Sequence, residues 1–356
     1  MYIVLGAGLQ GPAVAYALSI LKPDTVVWVV ESDNKRMKRA KWLLYSKLER
    51  ENNIKFLQNS PDNPILDPFR AASSATVIST LTYALNEAVA KQCIDRGWNY
   101  FDLGGHVQTS EAIREYAEGK ECAVMTDLGL APGLVNILGE HACTLVTNPK
   151  SLDMFCGGLP INPYLNEINY AIVFSPEGLI NEYFNDCKAL RSGEVVDVEP
   201  MGDVDIAQFN GIVYECFNTS GAIHTTLEAS KKLGLLDCRY KTLRYMGHSK
   251  VFRFLKHDVG MTNEQLVALV KDKVPYTTED KVIIGIKVLG DASYIVDYEI
   301  LHDDNFTAMQ RATGFSAAVT ILQVEDKQGF LSYSDVNGQE LLKALGSDKL
   351  LPELNG

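Results

Sequence analysis

The chain opens on an apolar run, YIVL, followed by a glycine-containing turn and then PAVAYAL with apolar residues at helical spacing. That alternation repeats. TVVWVVE (25–31), NIKFLQ (53–58), SSATVISTLTY (73–83), NYFDLGG (99–105) and CAVMTDLG (122–129) each read as a short buried strand. NEAVAKQCIDRGW (86–98) and EAIREYAEGK (111–120) read as helices between them. Strands separated by helices imply right-handed crossovers and a parallel sheet, whose ligands gather at the carboxyl ends of the strands. Thr80, Asp102 and Asp127 would stand at that edge. The triplet DLG occurs at 102–104 and again at 127–129 with no third copy, so it marks two neighbouring strand ends rather than a repeat array. An aspartate at a strand end also has a plain use, capping the next turn or helix.

After Gly133 the rhythm changes. LVNILGEHACTLV (134–146) is a helix that leaves the sheet, and then SLDMFCGGLPI, NYAIVFS, IVYECFNTSG, VIIGIKVLG and YIVDYEILH read as extended segments, several alternating with period two. PEGLINEYFNDC (176–187) and TTLEASKKLG (225–234) read as helices flanking an antiparallel sheet with one open face. NFTAMQRATGFSAAVTILQVED (305–326) is a strong helix with no sheet partner of its own, expected to return to the first half. The expected class is α/β: a Rossmann dinucleotide-binding domain over 1–130, an α+β substrate domain with an antiparallel sheet over 131–304, and a returning helix and tail over 305–356, with the substrate cleft between the two domains.

The dinucleotide expectation rests on GAGLQG, which places Gly6, Gly8 and Gly11 between a strand and a helix. Gly6 suits the tight turn, Gly8 lets backbone approach a pyrophosphate, and Gly11 allows close helix-to-strand packing at a helix N-terminus that faces the anion. Leu9 and Gln10 complete the loop, and Thr80 joins the expected cofactor contacts from the neighbouring strand. Glu31 closes the second strand about 20 residues after the last glycine, where a carboxylate accepts from both ribose hydroxyls. That favours NAD over NADP, although Lys35 and Arg36 follow closely enough to meet a 2'-phosphate.

Composition narrows the partners. With 33 basic and 45 acidic residues the formal charge is -12, which argues against a nucleic-acid backbone as ligand. Hydrophobic residues make up 46% and charged residues 22%, as a globular chain requires. No apolar run approaches the ~20 residues of a membrane helix, and MYIVLGAG leaves no room for a secretory leader, so a cytoplasmic protein is expected. Its seven cysteines contain no CxxC pair and read as buried thiols, with no metal site. The second-half sheet offers a surface for a homodimer.

Three polar, glycine-bearing segments in the second half exceed what packing needs: 174–183, 216–227 and 240–248. Arg244 lies between Leu243 and Tyr245, and a sheltered arginine takes either an internal glutamate or a substrate carboxylate as its partner. His248 is either a satisfied structural histidine or a site residue.

GAGLQG, LNEAVAKQCIDRG, YFDLGGH, TDLGLAPGLVNIL, GGLP, FSPEGLINEY, TSGAIHTTL and KTLRYMGH, in that order, resemble the saccharopine dehydrogenase-like family, and within it the lysine 6-dehydrogenases. TGFSAA (313–318) is a further family-like element, and Met246 stands where relatives often carry proline. The resemblance implies NAD-linked oxidation of a carbon–nitrogen bond in a small lysine-like amino acid. The rival within the family is reductive condensation of an amino compound with an aldehyde, as in saccharopine- or carboxyspermidine-type enzymes. For lysine, His106 is the expected base, while Asp102 and Asp127 would hold the ammonium and stabilise the iminium. Arg244, with Thr219 and Ser220, would bind the α-carboxylate, and Glu177 and His248 complete the expected substrate set.

Overall fold

The computed structural model describes residues 1–47, 53–59, 65–164, 166–347 and 350–354. The chain divides into two compact units, Met1–Leu134 with Gln310–Asn355, and Val135–Met309.

The first unit runs β1 (Tyr2–Leu5), α1 (Gly11–Leu21), β2 (Val27–Glu31), α2 (Asn34–Lys47), β3 (Ile54–Gln58), β4 (Thr76–Ser79), α3 (Tyr83–Asp95), β5 (Asn99–Asp102), α4 (Val107–Ala117) and β6 (Ala123–Met125). Its seven-stranded sheet has the order β3-β2-β1-β4-β5-β6, with Gly329–Phe330 added parallel to β6 at the edge. Every pair in it is parallel. β1 and β4 are buried along their whole length, because parallel strands covered by helices on both faces cannot expose alternate residues. The order reverses between β1 and β4, which places the carboxyl ends of those two strands at the switch point where such sheets bind ligands.

The second unit continues with α5 (Leu134–Thr144), β7 (Ser151–Pro160), α6 (Pro176–Phe184), β8 (Cys187–Arg191), β9 (Glu194–Val198), β10 (Asp205–Phe209), β11 (Ile212–Asn218), α7 (His224–Lys232) and β12 (Asp237–Tyr245). Then come α8 (His248–Arg253), α9 (Asn263–Lys273), β13 (Asp280–Leu289), β14 (Ser293–Leu301) and the short α10 (Ala308–Gln310). The sheet order is β10-β11-β12-β7-β13-β14, with the β8–β9 hairpin joined to β12. It is mixed rather than purely antiparallel, since β12 runs parallel to β7 from Asp237↔Ser151 to Thr242↔Cys156. A parallel pair needs a long crossover, and everything from α6 to α7 supplies it. NYAIVFS forms no strand. It is held as buried irregular chain through Ile172, which donates to the Pro275 carbonyl and accepts from the Thr277 N–H.

After α10 the chain passes through a π turn (Arg311–Phe315), α11 (Ser316–Val324), β15 (Gly329–Phe330) and α12 (Gly338–Leu345), all within the first unit. The returning helix lies against α1. A Cβ on Gly314 would sit 2.6 Å from the Ala13 Cβ, so the missing side chain is what lets the two helices touch. Among the described residues no helix is long and apolar enough to cross a membrane. All seven cysteines are free and buried.

Candidate active site

The glycine loop is built by three different constraints. Gly6 has φ +96°, a left-handed conformation that strains other residues. Gly11 has no room, because a Cβ there would lie 1.9 Å from the Gly6 carbonyl oxygen. Gly8 is the opposite case, with nothing within 4 Å of its missing Cβ, so this side of the loop is open to a ligand. Gln10 caps α1, its carbonyl accepting from Ala13 and Val14, while Leu9 is 47% exposed and its carbonyl accepts from the Gln310 amide. The Thr80 hydroxyl lies 2.9 Å from the Leu5 carbonyl and 3.2 Å from that of Gly6, so Thr80 braces the loop from β4. Glu31 is buried beside it and accepts from the N–H groups of Ala7, Ser32 and Asp33, each at 2.8 Å. Its carboxylate thus joins the loop to the β2 terminus, and Lys35 and Arg36 lie exposed in the next helical turn. An open glycine face, a helix N-terminus and a carboxylate at the second strand end fit a dinucleotide's pyrophosphate and ribose.

Farther along the same sheet edge the two DLG turns interlock. Asp102 is 1% exposed and receives the Tyr100 hydroxyl at 3.0 Å, the Gly104 N–H at 2.8 Å and the Asp127 N–H at 3.2 Å. Burial, reinforced by the Asp127 charge, pushes its carboxyl well above the usual range. Both Asp102 oxygens face inward and tie the two turns together. Asp127 has φ +64° and is half-buried, held by the Tyr333 hydroxyl on its carbonyl at 2.8 Å. Gly104 is required at the contact, since a Cβ would come 2.2 Å from the Asp127 Oδ1. His106 precedes α4, is exposed, and stacks on Tyr83 with ring centroids 4.9 Å apart. Its Nδ1 lies 3.1 Å from the Thr109 hydroxyl.

The second unit holds a buried cation. Arg244, 1% exposed on β12, lies among aromatic rings, with its guanidinium carbon 5.4 Å from the Tyr170 centroid and 5.5 Å from that of Tyr183. Its Nε–H donates to the Tyr183 hydroxyl at 2.6 Å and its Nη1 to the Leu243 carbonyl at 2.9 Å. Nη2 makes no hydrogen bond among the described residues, and the nearest carboxylate oxygen, on Glu182, is 3.9 Å away. Burial raises the Glu182 carboxyl to about 7 against the opposing pull of Arg244.

His248 lies behind this cluster. It is fully buried, with Nδ1 2.9 Å from the Ile168 carbonyl and Nε2 2.8 Å from the Tyr183 hydroxyl. Burial, with Arg244 adding its charge, pushes its pKa down to about 3, so it is neutral at pH 7. The Ile168 carbonyl can only accept, so Nδ1 carries the proton and Nε2 accepts from Tyr183, whose oxygen in turn accepts from Arg244. Both ring nitrogens of His248 are thus engaged within the protein. Glu177 pairs with Lys271 and takes the Ser175 hydroxyl at 3.1 Å on the exposed flank of α6. Thr219 pairs with Thr242 through their hydroxyls at 2.8 Å, and Ser220 donates to the Asn181 carbonyl at 2.9 Å, tying the end of β11 to β12 and α6. Tyr170, Tyr183 and Glu182 were absent from the sequence-derived set. Glu182 and Tyr183 sit in the NEY of FSPEGLINEY, where the burial of Leu179, Ile180 and Tyr183 on one helical face was the available signal. Among the described residues no three His, Cys, Asp or Glu side chains gather as a metal site would require.

A doubly wound parallel sheet with a glycine-rich switch-point loop, joined to a mixed-sheet unit around a buried arginine, defines the class. The chain belongs to the family described as Saccharopine dehydrogenase C-terminal domain, whose model matches residues 129–348. It is 30% identical over 131 residues to the mitochondrial alpha-aminoadipic semialdehyde synthase of Rattus norvegicus, a match covering 35% of this chain and 14% of that protein. The matches span less than a third of the length of these curated relatives. The apo saccharopine dehydrogenase (L-Glu forming) of Saccharomyces cerevisiae superposes with a TM-score of 0.72 at 14% identity, covering 98% of both chains. The homospermidine synthase of Legionella pneumophila, in complex with NAD, superposes with a TM-score of 0.69 at 13% identity, covering 96% of this chain and 88% of that one. At such identities the likeness is one of fold.

Proposed function

We propose that the protein is an NAD-dependent oxidoreductase that oxidatively deaminates the side-chain amine of L-lysine, or a close lysine derivative, to the semialdehyde and its cyclic imine, releasing ammonia. Membership of the saccharopine dehydrogenase family and the open glycine loop support the oxidoreductase class. The observation that carries the amino-acid substrate is Arg244, a buried guanidinium whose Nη2 makes no hydrogen bond among the described residues. Such a group is well matched to a carboxylate.

The dinucleotide, when bound, supplies the hydride acceptor. The chain's own residues handle protons and position. A lysine side-chain amine has a solution pKa near 10.4, so making it neutral at pH 7 costs about 4–5 kcal/mol, and a base within hydrogen-bond reach has to take that proton. His106 is assigned the base role, with Nε2 on the side of the ring away from Thr109. Asp127, half-buried at the adjacent turn, supplies the negative charge that stabilises the iminium once a hydride has left the side-chain carbon. Water then adds to the iminium carbon, the nitrogen leaves as ammonia, and the aldehyde closes onto the α-amine with loss of water to give the cyclic imine. Glu31 at the ribose position favours NAD over NADP.

The test supplies NAD with L-lysine and a panel of amines and follows NADH absorbance, with the two lysine nitrogens labelled separately. Side-chain label in the released ammonia is expected. Label from the α-nitrogen would overturn the reading, and, in a second arm supplied with NADH, oxidation seen only when an amino compound and an aldehyde are present together would replace it by reductive condensation.

A further inference from the structure

Beside Arg244 stands a second side chain with open hydrogen-bonding capacity. Glu182 is on α6, its side chain 32% exposed, and its carboxylate accepts no hydrogen bond among the described residues. Two other glutamates of this unit are differently engaged: Glu177 pairs with Lys271, and Glu215 takes the N–H groups of Gly247 and Ser249 at the start of α8. Glu182 faces Arg244, yet the two stop 3.9 Å apart, beyond a hydrogen bond. The guanidinium does not close the gap by turning, because Tyr183 and Leu243 hold its Nε and Nη1. A carboxylate and a guanidinium side by side, each with unspent hydrogen-bonding capacity, match a ligand carrying both opposite charges on adjacent atoms.

We propose that Glu182 and Arg244 form a two-point clamp for the head group of an α-amino acid, Arg244 binding the carboxylate and Glu182 the α-ammonium. This deepens the proposed function by naming a specificity residue beside the same arginine, and it rests on that reading only for the identity of the amino acid. The clamp requires both poles. Each pole bound alone would leave the opposite protein charge desolvated beside it, a penalty that single-pole ligands have to bear. An amino acid is thereby selected over a simple acid or a simple amine of equal length.

Binding and turnover separate the clamp from the reaction. In calorimetric titrations of the NAD-loaded protein, L-lysine should bind at least tenfold more tightly than 6-aminohexanoate, which lacks only the α-amine. It should also bind at least tenfold more tightly than pentane-1,5-diamine, which lacks only the carboxylate. In parallel titrations L-glutamate is compared with glutarate, so the outcome does not depend on lysine being the substrate. Glu182→Gln, with an unchanged melting profile, should shrink the amino-acid preference over the deamino compounds tenfold or more, chiefly through KM for any turned-over substrate, and Glu182→Asp should restore part of it. If neither amino acid is preferred over its deamino analogue, or if Glu182→Gln leaves the preference within twofold, the clamp is refuted. A preference that persists without any NADH formation would uphold the clamp while sinking the deamination reading.

Discussion

Replacing Tyr183 by Phe removes one oxygen that serves two buried partners, the Arg244 Nε–H at 2.6 Å and the His248 Nε2 at 2.8 Å. Phenylalanine keeps the ring contacts with Phe217 and Phe252, so packing is preserved and the loss is electrostatic. Leaving one buried donor or acceptor unsatisfied costs about 1–3 kcal/mol, more at a charge. Two such groups give a destabilisation of about 2–5 kcal/mol, against a total stability of roughly 5–15 kcal/mol. The assay is urea unfolding of parent, Tyr183→Phe, His248→Leu and the double variant. The double variant should lose about 1 kcal/mol less than the sum of the singles, because it no longer strands the histidine acceptor. Carboxylate binding should weaken too, since the guanidinium loses its anchor. A Tyr183→Phe protein within about 0.5 kcal/mol of the parent would refute the relay, as that is the range of neutral surface changes.

Other outcomes follow from the same contacts. The His248 pKa is lowered to about 3 from 6.5, so the unfolded chain binds the extra proton first, and stability should fall as pH drops from 6.5 towards 3. His248→Leu should flatten that part of the pH–stability curve, and an unchanged slope would assign it elsewhere. Gly8→Ala should leave melting within a few degrees of the parent yet weaken NADH binding, read by fluorescence titration, at least tenfold. Gly11→Ala should damage both, because its Cβ would lie 1.9 Å from the Gly6 carbonyl oxygen. His106→Gln should fold normally, being exposed, and lower kcat by about 10²–10⁴-fold if its ring is the base. Near-normal turnover across pH would remove it from the mechanism.

The parallel sheet was legible because β1, β2 and β6 are almost purely apolar, β4 and β5 carry the apolar pairs Val77–Ile78 and Tyr100–Phe101, and each is followed by a turn signal. The second unit was only partly so. β12 was noticed for its polar residues but not read as a strand although it is central, since Arg239 and Lys241 interrupt its apolar pattern. Their charges are matched across the sheet: Arg239 bonds both Asp153 oxygens at 2.6 and 3.1 Å, and Lys241 bonds Asp205 at 2.6 Å. Residue-by-residue polarity therefore misreads a strand whose ionic partners are remote in sequence. The candidate site shows the same limit. Arg244 stood out by its apolar neighbours, but which glutamate faces it depends on the rotation of α6, and that turns on packing the sequence does not display. Asp102 was recognised at the strand end, yet its inward direction is decided by Tyr100 and by the second DLG turn.

The last strand of the parallel sheet, β15, arrives about 200 residues after β6, the strand it pairs with. The Tyr333 hydroxyl that fixes the Asp127 turn comes later still. During synthesis the mixed-sheet unit therefore has all its strands while the first unit still lacks an edge strand and the helix that covers α1. Until the carboxyl-terminal segment emerges, β6 presents an unpaired edge and α1 an uncovered apolar face, both open to association with other chains. The segment thus acts as a late closure for the nascent protein, and its sequence is under a folding constraint quite apart from any part it takes in chemistry.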